Sequence, residues 1–220
     1  MNKKNVIYLT KTDYREFAEI TKKEASALLE VSTYSRLGAW GRYNPFVMGA
    51  YADARYPNSQ LSEHSVITIA DRVNVDKLKS TNRPEIDWGK IPDKMIYRFI
   101  VWHEIGHRVN NFCQFRLWAN QEVDREILLP KLRRANEVLA DRYAWQQLFP
   151  GQPVPIGRGK SEQYLRGINQ DIDDLSQALD WKRRSARTLP EGQYKCVSIS
   201  MLKSKSLAAY IGSEAAIFSH

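Results

Sequence analysis

Apolar positions fall into a few short runs separated by polar and turn-forming residues along this 220-residue chain. Val6-Ile7-Tyr8-Leu9 is a brief apolar run that predicts a strand. Asp13, with Glu16 three residues on, has the spacing of a capping box and predicts a helix start; Thr21 with Glu24 repeats it, and a second helix is expected through Ala25, Leu28, Leu29 and Val31. Gly38, Gly41, Asn44-Pro45 and Gly49 interrupt the aromatic-rich stretch that follows, which reads as irregular or short-helical. Ser65-Val66-Ile67-Thr68-Ile69-Ala70 is β-branched and short, and predicts the clearest strand of the chain. Pro92-Asp93 opens a helix expected to run from about Asp93 to Asn111, with apolar positions at Ile96, Phe99, Ile100, Trp102 and Val109. A further helix is expected between Pro130 and Phe149, after a helical piece from Ala119 to Leu129. The loop Gly151 to Gly157 reads as a boundary, followed by a charged helix from about Ser161 to Arg187.

Charge and cysteine content narrow the class. The net charge of +8 is spread evenly: 14 basic against 11 acidic residues over 1–90, 9 against 7 over 91–150, and 10 against 7 over 151–220. No basic arm stands out, so a mildly basic solvated surface explains the excess. Cys113 and Cys196 are too few and too far apart for a disulfide scaffold, and Cys113 is expected to pack as a small hydrophobe. The basic amino terminus carries an apolar run of only four residues, too short for a signal peptide, and no run approaches the roughly 20 apolar residues of a membrane span. A soluble cytoplasmic protein with no membrane partner is expected.

The chemistry sits in His103-Glu104-Ile105-Gly106-His107, an H-E-x-x-H pattern inside the helix predicted over 93–111. Four residues advance a helix by roughly 400°, so His103 and His107 lie one turn apart on one face, where two neutral imidazoles reach a single cation. Glu104 can lean over the same site without binding the metal and serve as general base. Catalytic zinc usually takes three protein ligands and keeps one open position. Glu137, thirty residues after His107 on the next long helix, is the candidate third ligand if the two helices pack side by side. Asp141, one turn further on that helix, is placed to accept the free ring N–H of a ligand histidine, and Asn111 is a weaker candidate for the same supporting role.

The segment Tyr97-Arg98-Phe99-Ile100-Val101-Trp102-His103-Glu104-Ile105-Gly106-His107 resembles the active-site helix of ImmA/IrrE-type zinc metallopeptidases. The run from Glu137 through Ala140, Asp141, Tyr143, Ala144 and Leu148 to Pro150 is similar to that family's glutamate helix, where the glutamate is the third zinc ligand. The resemblance covers roughly residues 60–150, and the long segment between His107 and Glu137 departs from the family pattern. It implies an α+β, zincin-like fold, in which a small mixed or antiparallel sheet packs on the H-E-x-x-H helix beside a second, glutamate-bearing helix. It also implies Zn2+ as cofactor, a protein or peptide substrate, and a role in phages or mobile elements, where such proteins act on a repressor or other regulatory protein. On this reading residues 1–150 form the metallopeptidase core and 151–220 a C-terminal helical extension of unassigned role.

Several roles stay open at this level. The oxyanion of peptide hydrolysis needs a donor, and His64, Tyr51, Tyr56, Tyr97 and Tyr143 are undistinguished candidates. If residues 65–70 form an exposed edge, they would align an extended substrate by strand addition; an internal strand would not. Residues 21–42 also have the look of a helix-turn-helix, with Arg36 and Arg42 as base-reading side chains, which makes DNA the alternative partner. A third alternative is a non-cleaving zincin-like interaction protein or anti-host factor. The acidic residues Asp171, Asp173, Asp174 and Asp180, followed by Lys182, Arg183, Arg184 and Arg187, suit a helix macrodipole.

Overall fold

The computed structural model describes residues 5–48, 63–109 and 125–182, and the chain divides into two compact units, 1–78 and 79–220. The architecture is α+β. The units part at Leu78, not near residue 150 as the Gly/Pro-rich loop suggested. That loop is instead tied into the second unit: Asp87 N–H donates to the Pro155 carbonyl, Gly157 N–H donates to Glu85, and Ile86 bridges Ile156.

In the first unit, strand β1 (Val6–Tyr8) precedes helix α1 (Lys11–Ala25). Thr10 is the N-cap and Asp13 its box partner at the third helical position, one turn earlier than the expected Asp13–Glu16 pair. The expected second start at Thr21 lies in the last turns of the same helix, where the Thr21 hydroxyl donates to the Ala18 carbonyl. Ser26, in the left-handed region at φ 50, ends it. Residues expected to continue as helix form strand β2 (Ala27–Ser32), in which Ala27 and Leu29 are buried and Leu28 and Glu30 exposed. A two-residue alternation, with β-branched Val31, wins over the helical reading of the same apolar positions.

A single turn, α2 (Tyr34–Leu37), follows and stops at Gly38, whose φ of 69 suits glycine. Strand β3 (Gly41–Met48) then occupies what read as an irregular segment. No helix-turn-helix forms over 21–42, because α1 ends at Ala25 and is followed by strand β2, one helical turn and the start of β3. Strand β4 (Glu63–Ala70) pairs in parallel with β2 and antiparallel with β3, giving the order β2-β4-β3. The β3 register slips between Asn44 and Val47, around Pro45, which has no N–H to give the ladder. β4 is therefore central, not an edge, and Val66, Ile67, Ile69 and Ala70 are buried. The strand-addition role for residues 65–70 fails for that reason. β5 (Arg72–Asn74) pairs antiparallel with β1, and α3 (Val75–Lys79) follows.

The second unit is helical. After short 3-10 turns at Trp88–Lys90 and Asp93–Met95 come α4 (Ile96–Val109), α5 (Arg125–Leu148) and α6 (Glu162–Lys182). α5 starts before Pro130, which lies inside the helix, whereas the sequence placed the start at that proline. The α6 start is capped by Ser161, whose hydroxyl accepts from Tyr164 N–H. Phe99, Ile100, Val101 and Ile105 of α4 are buried, as are Leu132, Ala135, Val138, Leu139 and Ala144 of α5.

The two helices cross where Gly106 meets Ala140. A Cβ on Gly106 would stand 2.8 Å from the Ala140 Cα and 3.0 Å from its carbonyl oxygen, closer than a side chain tolerates. Across from this crossing, Arg142 is fully buried and pairs with Glu85 through Nε and Nη2, both at 2.7 Å, while Nη2 also reaches Asn169 Oδ1 at 2.9 Å. The buried ion pair thus fastens residue 85 to α5, and the asparagine extends it to α6. Asp171 of α6 is buried as well and pairs with Arg134 and, at 3.1 Å, with Lys131. That aspartate serves helix packing, not only the macrodipole suggested by its position.

Gly106→Ala is expected to push the helices apart and cost about 1–3 kcal/mol in chemical denaturation, the usual penalty for overpacking. Glu85→Ala leaves Arg142 buried without its carboxylate and is expected to cost about 3–5 kcal/mol in the same assay.

Candidate metal centre

The Gly106–Ala140 crossing determines which side chains meet. His103 and His107 lie three residues before and one after Gly106; Glu137 and Asp141 lie three before and one after Ala140. At 3.6 residues per turn these offsets return to the same face, so all four project toward the seam between the helices. His103 Nε2 stands 3.5 Å from Glu137 Oε2, and His107 Nε2 stands 3.6 Å from Glu137 Oε1. One donor atom from each of His103, His107 and Glu137 lies within 4.8 Å of the others. Tetrahedral zinc with bonds of roughly 2.0–2.1 Å places its ligand atoms about 3.3–3.5 Å apart. Two imidazole nitrogens and a carboxylate are donor types that suit such an ion, and each ring nitrogen stands 3.5–3.6 Å from one of the two Glu137 oxygens, close to that range.

Asp141 stands behind His103. Its Oδ1 lies 2.8 Å from His103 Nδ1 and accepts from Trp88 Nε1 at 3.2 Å, while its Oδ2 accepts from Arg83 Nε at 3.0 Å. With a proton kept on Nδ1 beside this carboxylate, displacement of the second proton by a metal ion would free Nε2, the nitrogen that faces Glu137. Glu104 is buried beside His103, and its charge adds to the field on that ring.

Two residues of the centre carry no signal in the sequence. Arg83 Nη2 donates to Glu137 Oε2 at 2.7 Å, and its guanidinium lies 4.5 Å over the Trp88 ring. Trp88 also meets Phe99 and His103 edge-on, walling the site with aromatic surface. No spacing rule connects residues 83 and 88 to 103–107 or 137–141.

Of the oxyanion candidates, Tyr97 and Tyr143 are buried in the second unit, and Tyr143 packs edge-on against Trp102. Tyr51, Tyr56, Asn111 and Cys113 lie outside the described residues, and His64 belongs to β4 of the other unit.

The protonation of the metal-free rings follows from their neighbours. Burial disfavours charge on His103, but Asp141, Glu137 and Glu104 outweigh it and raise its pKa to about 10. Burial and the charged His103 push His107 down to about 4, against the pull of Glu137. Burial alone would raise the Glu137 carboxyl; both histidines and Arg83 hold it far below the usual carboxylate range instead. Arg83 stays charged despite its burial because Asp141 and Glu137 face it.

These shifts act on stability with opposite signs. The His103 contribution is complete below its unfolded pKa of about 6.5 and is lost as pH rises through about 10. The His107 contribution is present above about 6.5 and is lost as pH falls through about 4. In the presence of a chelator, melting temperature is therefore expected to fall between pH 7 and pH 10, with His103→Gln flattening that alkaline limb. An unchanged limb in the variant would mean that His103 is not held as the cation.

No family model, curated protein or solved structure matches this chain, so its functional reading rests on the side chains themselves.

Proposed function

We propose that the protein is a zinc-dependent metallopeptidase of zincin-like fold, using His103, His107 and Glu137 as metal ligands and Glu104 as general base. The observation that carries this reading is the mutual approach of three N/O donors from two helices, with Glu104 of H-E-x-x-H buried near enough for its charge to act on His103. The likeness of residues 97–107 and 137–150 to the ImmA/IrrE pattern supports the same assignment.

Zinc supplies Lewis acidity there, polarising a carbonyl and making water a better nucleophile at neutral pH. The chain's own groups do the rest. Asp141 orients His103 through Nδ1 and favours the tautomer with a free Nε2. Glu104, in a site shielded by Trp88 and Phe99, takes a proton from the attacking water and delivers it to the departing amine. The substrate class proposed is a protein or peptide, with a regulatory protein of a phage or mobile element as the biological target that the family likeness suggests. The DNA-binding alternative loses its motif, because residues 27–32 form a strand. Among the described residues no helix is long and apolar enough to cross a membrane.

Purified protein is expected to carry close to one zinc per chain by elemental analysis, with Glu137→Ala largely depleted. Glu104→Gln should keep the metal and lose hydrolysis of an unfolded protein substrate by at least about a hundredfold, within the range for a lost general base. Hydrolysis that survives Glu104→Gln would remove the proposed base, and zinc retained after His103→Ala with His107→Ala would place the metal elsewhere.

A further inference from the structure

Arg83 brings a permanent positive charge into a centre whose reaction chemistry does not call for one. Its guanidinium bridges Glu137 and Asp141, through Nη2 at 2.7 Å and Nε at 3.0 Å. These carboxylates are four residues apart on α5, a helical spacing at which like charges repel. The bridged Glu137 oxygen, Oε2, is the one that faces His103 Nε2 at 3.5 Å. The Arg83 side chain is 12% exposed and lies over Trp88, whose own N–H is given to Asp141. The cation is therefore anchored on two carboxylates and an aromatic face, and a metal ion entering the centre would share Glu137 with it.

We propose that Arg83 is a built-in counter-ion of the metal centre, holding Glu137 and Asp141 in place before a divalent cation arrives and lowering the affinity with which that cation is then taken. The proposal rests on the metal-binding reading above. Glu104, Glu137 and Asp141 bring three carboxylates to a centre where Asp141 is fully buried and Glu104 nearly so. Without a fixed cation, the metal-free site would hold Glu137 and Asp141 against the two histidine rings and the Trp88 N–H alone, and removing the cationic partner of a buried carboxylate is costly. With Arg83 present the empty site is stable and pre-shaped. The cost is repulsion between the guanidinium and an incoming cation across one carboxylate, in a setting where water screens poorly. A lysine could not reproduce the fork that addresses two carboxylates at once.

The test compares wild type, Arg83→Gln and Arg83→Gln/Asp141→Asn. Each is melted in chelator and in zinc, its zinc affinity is measured by chelator competition, and its visible spectrum is recorded with Co2+. Arg83→Gln is expected to melt lower than wild type in chelator, to regain most of that loss in zinc, and to bind zinc about tenfold or more tightly, as removal of a nearby like charge implies. The Co2+ spectrum should be unchanged. Adding Asp141→Asn removes the excess negative charge and should restore melting in chelator. Folding of Arg83→Gln only in the presence of zinc would support the proposal equally. Weaker zinc binding by Arg83→Gln, equal destabilisation with and without zinc, or a failure to fold that neither zinc nor Asp141→Asn repairs would overturn it. Wild-type protein that takes up neither zinc nor Co2+ would overturn the metal-binding reading and this proposal together; wild-type uptake with any of the preceding results overturns the Arg83 role alone.

Discussion

The contact between Gly106 and Ala140 is the constraint on which the candidate centre depends. Helices normally pack 8–10 Å apart, held off by the side chains at their contact. Here one partner has no side chain and the other only a methyl, and the backbones come close enough that one further carbon would strike the opposite Cα. The consequence reaches beyond packing. Imidazole and carboxylate side chains are short, and they can face one another at 3.5–3.6 Å only if the backbones that carry them are close. The H-E-x-G-H spelling of this segment therefore joins two requirements: ligands a turn apart, and a gap in the helix surface that lets the third ligand approach.

Charge is handled in pairs along the same helix. Over residues 137–142, α5 presents Glu137, Asp141 and Arg142; the segment facing it presents Arg83 and Glu85 with opposite signs. Arg83 meets the two acids and Glu85 meets the base. A displacement of that segment would bring like charges together, so the pairing fixes its register on α5. The Glu85–Arg142 pair is fully enclosed and structural, whereas the Arg83 contacts open onto the histidines. Of the two buried cations, Arg142 ties residue 85 to α5, and Arg83 meets the carboxylates that face His103 and His107.

What was legible in the sequence divides along physical lines. The facing of His103, His107, Glu137 and Asp141 could be anticipated because helical periodicity is local and rigid: offsets of three and four residues share a face wherever the helix lies. The strand at 65–70 could be read from its β-branched run, but its central place could not, since pairing partners are set by distant segments. Ala27 to Ser32 misled because Leu28, Leu29 and Val31 satisfy a helical and a strand pattern equally, and Ser26 in the left-handed region, which ends α1, has no sequence signature. Thr10 displaced Asp13 as cap because the acid three residues on completes the same box one turn earlier. Arg83 and Trp88 were invisible for a further reason. Their role comes from a long-range approach to α5, and nothing within a few residues of either marks it.

The central claim is that two imidazoles and one carboxylate on crossing helices bind a single divalent ion. X-ray absorption at the zinc edge of the loaded protein tests it most directly. The expected spectrum has a first shell of nitrogen and oxygen only, with the outer-shell scattering of two imidazole rings. A sulfur scatterer in the first shell, contributed by Cys113 or Cys196, or scattering from fewer than two imidazoles, would contradict it.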